Sequence, residues 1–63
     1  MAKTKEQKRL DNEAARLFKV HGDRTVFNIM DLGKINNELK AVVIAGVDVD
    51  ARAKLVIAKY ATN

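Results

Sequence analysis

Few side chains in this sequence could do chemistry. It contains no serine and no cysteine, and His21 is its single histidine. The nucleophile and base pairs that use these residues, such as Ser–His and Cys–His, therefore cannot be assembled from it. A lone histidine also lacks the second His or the Cys that usually completes a metal site. We expect a protein that is not an enzyme and that has no catalytic residue, metal or cofactor.

Asp48 and Asp50 have the spacing of a D-x-D pair, which could suggest a divalent cation. The calcium-loop pattern needs further oxygen ligands and a glycine, and residues 51–53 supply neither. Both aspartates are better explained as caps of a following helix. His21 falls at the carboxyl end of a predicted helix, where the helix dipole or a capping contact explains it without a function.

The first segment of the chain carries the clearest helical pattern. Thr4 and Gln7 have the spacing of a capping box. Apolar positions then recur at helical spacing, at Leu10, Ala14, Leu17 and Phe18, with His21 on the same face. The pattern predicts an amphipathic helix from about Lys5 to His21, and we expect residues 1–4 to fray.

Basic side chains follow the opposite face of that helix. At about 100° per residue they form one narrow stripe of Lys5, Lys8, Arg9, Asn12, Arg16 and Lys19. The chain has a formal net charge of +4, and its first nine residues supply +3 of it. Such a stripe could run beside a phosphate backbone, or it could be the solvated face of a surface helix. Arg9 and Glu13 have the spacing of a helical ion pair.

Three glycines, Gly22, Gly33 and Gly46, each follow a stretch with helical spacing, where a left-handed residue commonly closes a helix. They divide the chain into four segments. In the second, Asp23 or Thr25 could cap a short helix through residues 26–32. That stretch is brief enough for a strand to fit as well.

The third segment places Ile35, Leu39, Val42 and Val43 on one helical face and ends at Gly46. Helical spacing predicts a third helix here. The β-branched run Val42-Val43-Ile44 favours a strand instead, which gives an α+β fold as the runner-up.

The last segment predicts a helix that is apolar on two faces. One face carries Val49, Ala53, Val56, Ile57 and Tyr60, and the other carries Ala51, Leu55 and Ala58. A helix of this kind must be covered on two sides, so it is either central or part of a dimer seam. A 63-residue chain without disulfides gains stability from added burial, which favours a homodimer. We predict its interface at Val49, Leu55, Val56 and Tyr60.

Residues 41–48, followed by Leu55-Val56, resemble the helix, glycine turn and second helix of helix-turn-helix regulators. The resemblance covers about a quarter of the chain. It departs from the pattern at Arg52, which stands where a branched apolar residue ordinarily turns inward. The resemblance implies that cations of the last helix, Arg52, Lys54 and Lys59, lie in or near a nucleic-acid groove.

The sequence therefore predicts a single all-α domain of three or four helices, spanning residues 1–63 and forming a homodimer. The predicted core is Leu10, Leu17, Phe18, Phe27, Ile29, Leu39, Val43, Val56 and Ile57. No apolar run approaches a membrane span and the amino end lacks a signal-peptide core, so we expect a cytoplasmic protein with no membrane partner.

Two function classes remain open. The first is a small basic regulator that binds nucleic acid through Lys5, Lys8, Arg9, Arg16, Lys19, Arg52, Lys54 and Lys59. The second is a protein-interaction module, such as a small inhibitor, adaptor or assembly factor, with no nucleic-acid role.

Overall fold

A computed structural model describes residues 4–62, which form three α-helices and one 3₁₀ turn. The helices are α1 (Lys5–His21), α2 (Leu32–Ala45) and α3 (Val49–Tyr60), and the 3₁₀ turn (Ile29–Asp31) directly precedes α2. The predicted all-α fold of three or four helices is confirmed with three α-helices, and no strand is present between residues 4 and 62. None of the described helices is long and apolar enough to cross a membrane.

Helix α1 begins and ends where the sequence pattern predicted. The Gln7 backbone N–H donates to Thr4 Oγ1 at 3.1 Å, and the Thr4 N–H donates to Gln7 Oε1 at 3.4 Å. This capping box satisfies two donors that a helix start otherwise leaves unpaired. Residues 1–3, which we expected to fray with Thr4, lie outside the described residues, and Thr4 itself caps the helix.

Gly22 ends α1 through a close approach and not through a left-handed conformation. Its φ is −102°, and its N–H donates to the Phe18 carbonyl oxygen at 2.7 Å. A Cβ built on Gly22 would lie 2.6 Å from that same carbonyl oxygen. A glycine is therefore required because any side chain would collide with the last turn of the helix.

The helix predicted through residues 26–32 is wrong for most of its length. Phe27 forms an antiparallel bridge with Ala61, and the Thr62 N–H donates to the Val26 carbonyl oxygen at 2.9 Å. These backbone groups pair with the end of the chain, so they cannot form helical hydrogen bonds with their neighbours. Helical geometry begins only at the 3₁₀ turn, where Asn28 Oδ1 accepts the Met30 N–H at 3.0 Å.

Helix α2 includes both of the features that could have ended or replaced it. Gly33 lies in its first turn and so does not close a helix, and Val42-Val43-Ile44 lie within its last two turns. The runner-up strand at those residues is therefore wrong. Gly46 closes α2 as predicted, with a left-handed φ of 70°.

Only residues 46–48 separate α2 from α3, so the predicted helix, glycine turn and second helix are present. Asp48 holds the capping position of α3 with a φ of 48°, yet its side chain accepts no capping hydrogen bond. Arg52 is exposed, and Ala53, fully buried, takes the inward position beside it.

The core lies where the inner faces of the three helices meet. Its buried residues are Ala14, Leu17, Ile35, Leu39, Val42, Ala53 and Ile57. Of the predicted core, Leu17, Leu39 and Ile57 are confirmed as buried. A second group is half-buried, namely Leu10, Phe18, Phe27, Val43 and Val56. Ile29 was wrongly predicted, because it is 82% exposed on the 3₁₀ turn.

Candidate nucleic-acid interface

The cations predicted on α1 share one exposed surface of the folded chain. We call this surface the basic face, and it consists of Lys5, Lys8, Arg9, Arg16 and Lys19, all of which are exposed. Ala14 and Leu17, on the opposite side of the helix, are fully buried. The face runs from Lys5 to Lys19, about 21 Å at 1.5 Å per residue. The core fixes its direction, because rotating α1 would expose the buried side.

A carboxylate neutralises part of this charge. Glu13 pairs with Arg16 at 3.3 Å, one turn along the helix, instead of with Arg9 as the spacing had suggested. Both side chains are about half exposed, so water screens the pair strongly. The basic face therefore retains most of its positive charge.

His21 links α1 to the start of α3. Its Nε2 lies 3.0 Å from Asp50 Oδ1, and its side chain is only 10% exposed. An ionised carboxylate can only accept, so Nε2 is the donor. The helix-dipole and capping explanations proposed for His21 missed this contact because its partner lies 29 residues away. Asp50 likewise serves as a partner for another helix and not as a cap.

Cations on both α1 and α3 act on the Asp50 carboxylate. The hydrogen bond from His21 lowers the pKa of Asp50 most, and electrostatic interactions with His21, Arg16 and Lys54 lower that pKa further. Arg16 and Lys54 thus act on the same carboxylate from two different helices. Of the three α3 cations, Lys54 is the one that acts on the same carboxylate as a residue of the basic face.

The other two α3 cations lie elsewhere. Lys59 Nζ lies 3.2 Å from Glu38 Oε1, and the Tyr60 hydroxyl also donates to the Glu38 carboxylate. The Tyr60 hydrogen bond and then that of Lys59 lower the pKa of Glu38. Arg52 precedes Lys59 by about two helical turns and so shares its side of α3, whereas Lys54 lies roughly 160° around the helix from Arg52. The eight predicted nucleic-acid contacts therefore do not form one surface.

The residues predicted as a dimer interface mostly serve the chain's own core. Val49, Val56 and Tyr60 are half-buried and pack against the buried cluster. Leu55 differs from them, with 70% of its surface exposed. The sequence pattern grouped these four residues because all have apolar surface. In the folded chain, three of them face the core and Leu55 faces solvent.

A feature that sequence reasoning missed is an open apolar groove of about 450 Å³, lined by Ala15, Phe18, Leu32, Gly33 and Asn36. The ring of Phe18 is supported by that of Phe27, with centroids 5.2 Å apart. Ile29 and Met30 stand beside it on the 3₁₀ turn, 82% and 84% exposed. The glycine at position 33 was the available signal, because a residue without a side chain leaves space on a helix surface.

The chain matches no protein-family model, no curated protein and no solved structure. Between residues 4 and 62, no group of three or more His, Cys, Asp or Glu side chains is placed to hold a metal ion. Two surfaces of the described residues are candidates for binding, namely the basic face and the apolar groove.

Proposed function

We propose that this chain is a small nucleic-acid-binding regulator of the cytoplasm, without catalytic activity, that holds duplex DNA through the basic face of α1 and Lys54. The observation that carries the proposal is the position of five exposed cations on one side of a single helix, opposite the core. Duplex DNA presents about one negative charge per 1.7 Å of its axis, so a linear row of cations can contact several phosphates at once.

The composition of this face favours phosphate contacts over base recognition. Its side chains are lysines and arginines, Asn12 lies among them on the helix, and none of these residues is aromatic, so bases have no ring on which to stack. The outer face of α3 carries Ala51, Leu55 and Ala58, which offer no hydrogen bonds to base edges. We therefore expect binding that depends strongly on salt and weakly on DNA sequence.

The experiment is a fluorescence-anisotropy titration of a labelled duplex of about 20 base pairs at several salt concentrations between about 50 and 200 mM. Each phosphate contact adds roughly 0.9 to the slope of log K against log salt. The double variant Lys8→Gln/Arg9→Gln should therefore reduce the slope by about 1.8 and weaken binding equally for unrelated duplexes.

A matched control removes the same charge elsewhere. Arg24 and Lys34 are exposed and lie outside α1, so Arg24→Gln/Lys34→Gln lowers the net charge by the same two units. This variant should keep most of the wild-type slope. If both double variants lose the same slope, binding follows net charge alone and the basic face has no special role. If wild-type protein fails to bind at the lowest salt, the proposal is wrong.

The second function class, a protein-interaction module, has its own supporting observation in the apolar groove and the exposed pair Ile29 and Met30. Two such aliphatic side chains next to an open groove are typical of a contact surface. Lys8→Gln/Arg9→Gln should leave that kind of binding intact.

A further inference from the structure

The 3₁₀ turn presents two large apolar side chains to solvent from an ordered backbone. Ile29 and Met30 are 82% and 84% exposed. The Asp31 N–H donates to the Asn28 carbonyl oxygen at 2.9 Å, and the Asn28 side chain caps the Met30 N–H at 3.0 Å. The residues just before the turn are held to the chain end by the bridge between Phe27 and Ala61. The two apolar side chains form a fixed projection, which we call the knob.

The groove lies directly beside this knob. Leu32, the residue after the 3₁₀ turn, lines it together with Phe18 and Ala15 of α1. A Cβ built on Gly33 would meet no atom within 4 Å, so the groove is open above this residue. The volume of about 450 Å³ is large enough to receive aliphatic side chains from another molecule.

We propose that a second copy of this chain occupies the groove, with each copy inserting Ile29 and Met30 into the groove of the other. A knob and a groove side by side on one surface are what an isologous twofold contact requires, because both insertions can occur at once and the assembly closes. The proposal rests on observations other than those for nucleic-acid binding, and the two proposed surfaces share only Lys19. It also places the dimer contact away from the predicted seam on α3.

Charge on the two features is complementary as well. The turn that carries the knob ends in Asp31, whereas Lys19 and Lys34 directly follow the groove residues Phe18 and Gly33. Both lysines are exposed, so in the proposed contact Asp31 of one copy can pair with lysines at the border of the other copy's groove. In a chain with a net charge of +4, a contact that pairs opposite charges opposes the general repulsion between copies.

The small core makes such a contact favourable. Among residues 4–62, five large apolar side chains are buried whereas eight are exposed, three of them in the knob and its neighbour Leu32. A standard interface covers about 800 Å² per partner, roughly one sixth of the 4840 Å² surface of this chain. An interface of that size fits on the knob and groove with the helix surfaces around them.

Sedimentation equilibrium from about 1 μM to 1 mM protein tests the proposal. Wild-type protein should pass from 7.0 kDa to twice that mass. Ile29→Gln/Met30→Gln should weaken dimerisation at least about tenfold, since central apolar anchors dominate small interfaces. Leu55→Gln is the matched control, because Leu55 is 70% exposed on α3, and it should dimerise like wild type. Circular dichroism confirms that each variant is folded.

A mixing experiment tests the reciprocal geometry. Gly33→Leu should fill the groove without disturbing the monomer, and it should fail to dimerise alone. In a mixture with Ile29→Gln/Met30→Gln, the intact knob of one variant meets the open groove of the other, so weak association returns and appears as NMR shifts around Phe18 and Leu32. A wild-type chain that stays monomeric throughout overturns the proposal. So does a dimer that Leu55→Gln disrupts and the knob variant does not.

Discussion

Replacing glycine by alanine should stabilise this protein at Gly33 and destabilise it at Gly22 and Gly46. Gly33 lies inside the first turn of α2, and its added Cβ would meet no atom within 4 Å. Alanine restricts the unfolded chain and favours the helix, so Gly33→Ala should raise the free energy of unfolding by about 0.5–1 kcal/mol.

At Gly22 the same methyl group meets the protein backbone. The Cβ would lie 2.6 Å from the Phe18 carbonyl oxygen and 3.4 Å from the Phe27 ring. The last turn of α1 must open to admit it, which strains the 2.7 Å hydrogen bond from the Gly22 N–H. We expect Gly22→Ala to lower the free energy of unfolding by about 1–3 kcal/mol, the usual cost of overpacking.

Gly46 has space for a methyl group but the wrong backbone angle for one. Its φ of 70° is left-handed, which costs a residue with a Cβ about 1–2 kcal/mol. Gly46→Ala should therefore lower the free energy of unfolding by that amount, because its backbone conformation is strained. Its nearest neighbour, the Val43 carbonyl oxygen, is 4.0 Å away and takes no part in the effect.

Thermal unfolding followed by circular dichroism at low micromolar protein measures all three variants. A change of 1 kcal/mol shifts the midpoint by about 4–8 °C for a domain of this size. Gly33→Ala should therefore melt above wild type, and the other two variants should melt at least about 4 °C below it. A lower midpoint for Gly33→Ala would refute the position assigned to α2, and an unchanged midpoint for Gly22→Ala would refute the close approach at the end of α1.

Two further predictions concern the core and the pH dependence. Leu39→Ala should lower the free energy of unfolding by about 2–5 kcal/mol because Leu39 is fully buried. Ile29→Ala should lower it by less than about 0.5 kcal/mol because Ile29 is exposed. Equal losses of free energy in urea unfolding would contradict the assigned burial. The pKa of Glu38 is lowered by Tyr60 and then Lys59, so its stabilising contribution is complete above its ordinary value of 4.5 and is lost as pH falls through the lower folded value. The pKa of Tyr60 is raised, mainly by the hydrogen bond to Glu38, so the contribution of Tyr60 to stability is complete below pH 10.0 and is lost as pH rises through the higher folded value. Glu38→Gln should therefore reduce the loss of stability at both acidic and alkaline pH, measured by denaturation curves. An unchanged pH profile would count against this cluster.

Helix α1 was predictable because its information is local. The capping box between Thr4 and Gln7 and the apolar spacing set its start, its length and the direction of its basic face. These signals depend on residues three or four positions apart, and such neighbours meet in any helix. The left-handed Gly46 is local for the same reason, since its conformation depends on the absence of its own Cβ.

The candidate surfaces needed the tertiary structure. The sequence alone determined that α1 is a basic amphipathic helix and that α2 and α3 follow around Gly46. Only the folded chain brings Lys54 and Arg16 to act on the same carboxylate, turns Lys59 toward Glu38 and directs Ile29 outward. Each of these depends on contacts between residues far apart in sequence, whose direction is set by how the three helices cross. A periodic pattern identifies the apolar side of a helix, but it carries no information about which other segment covers that side.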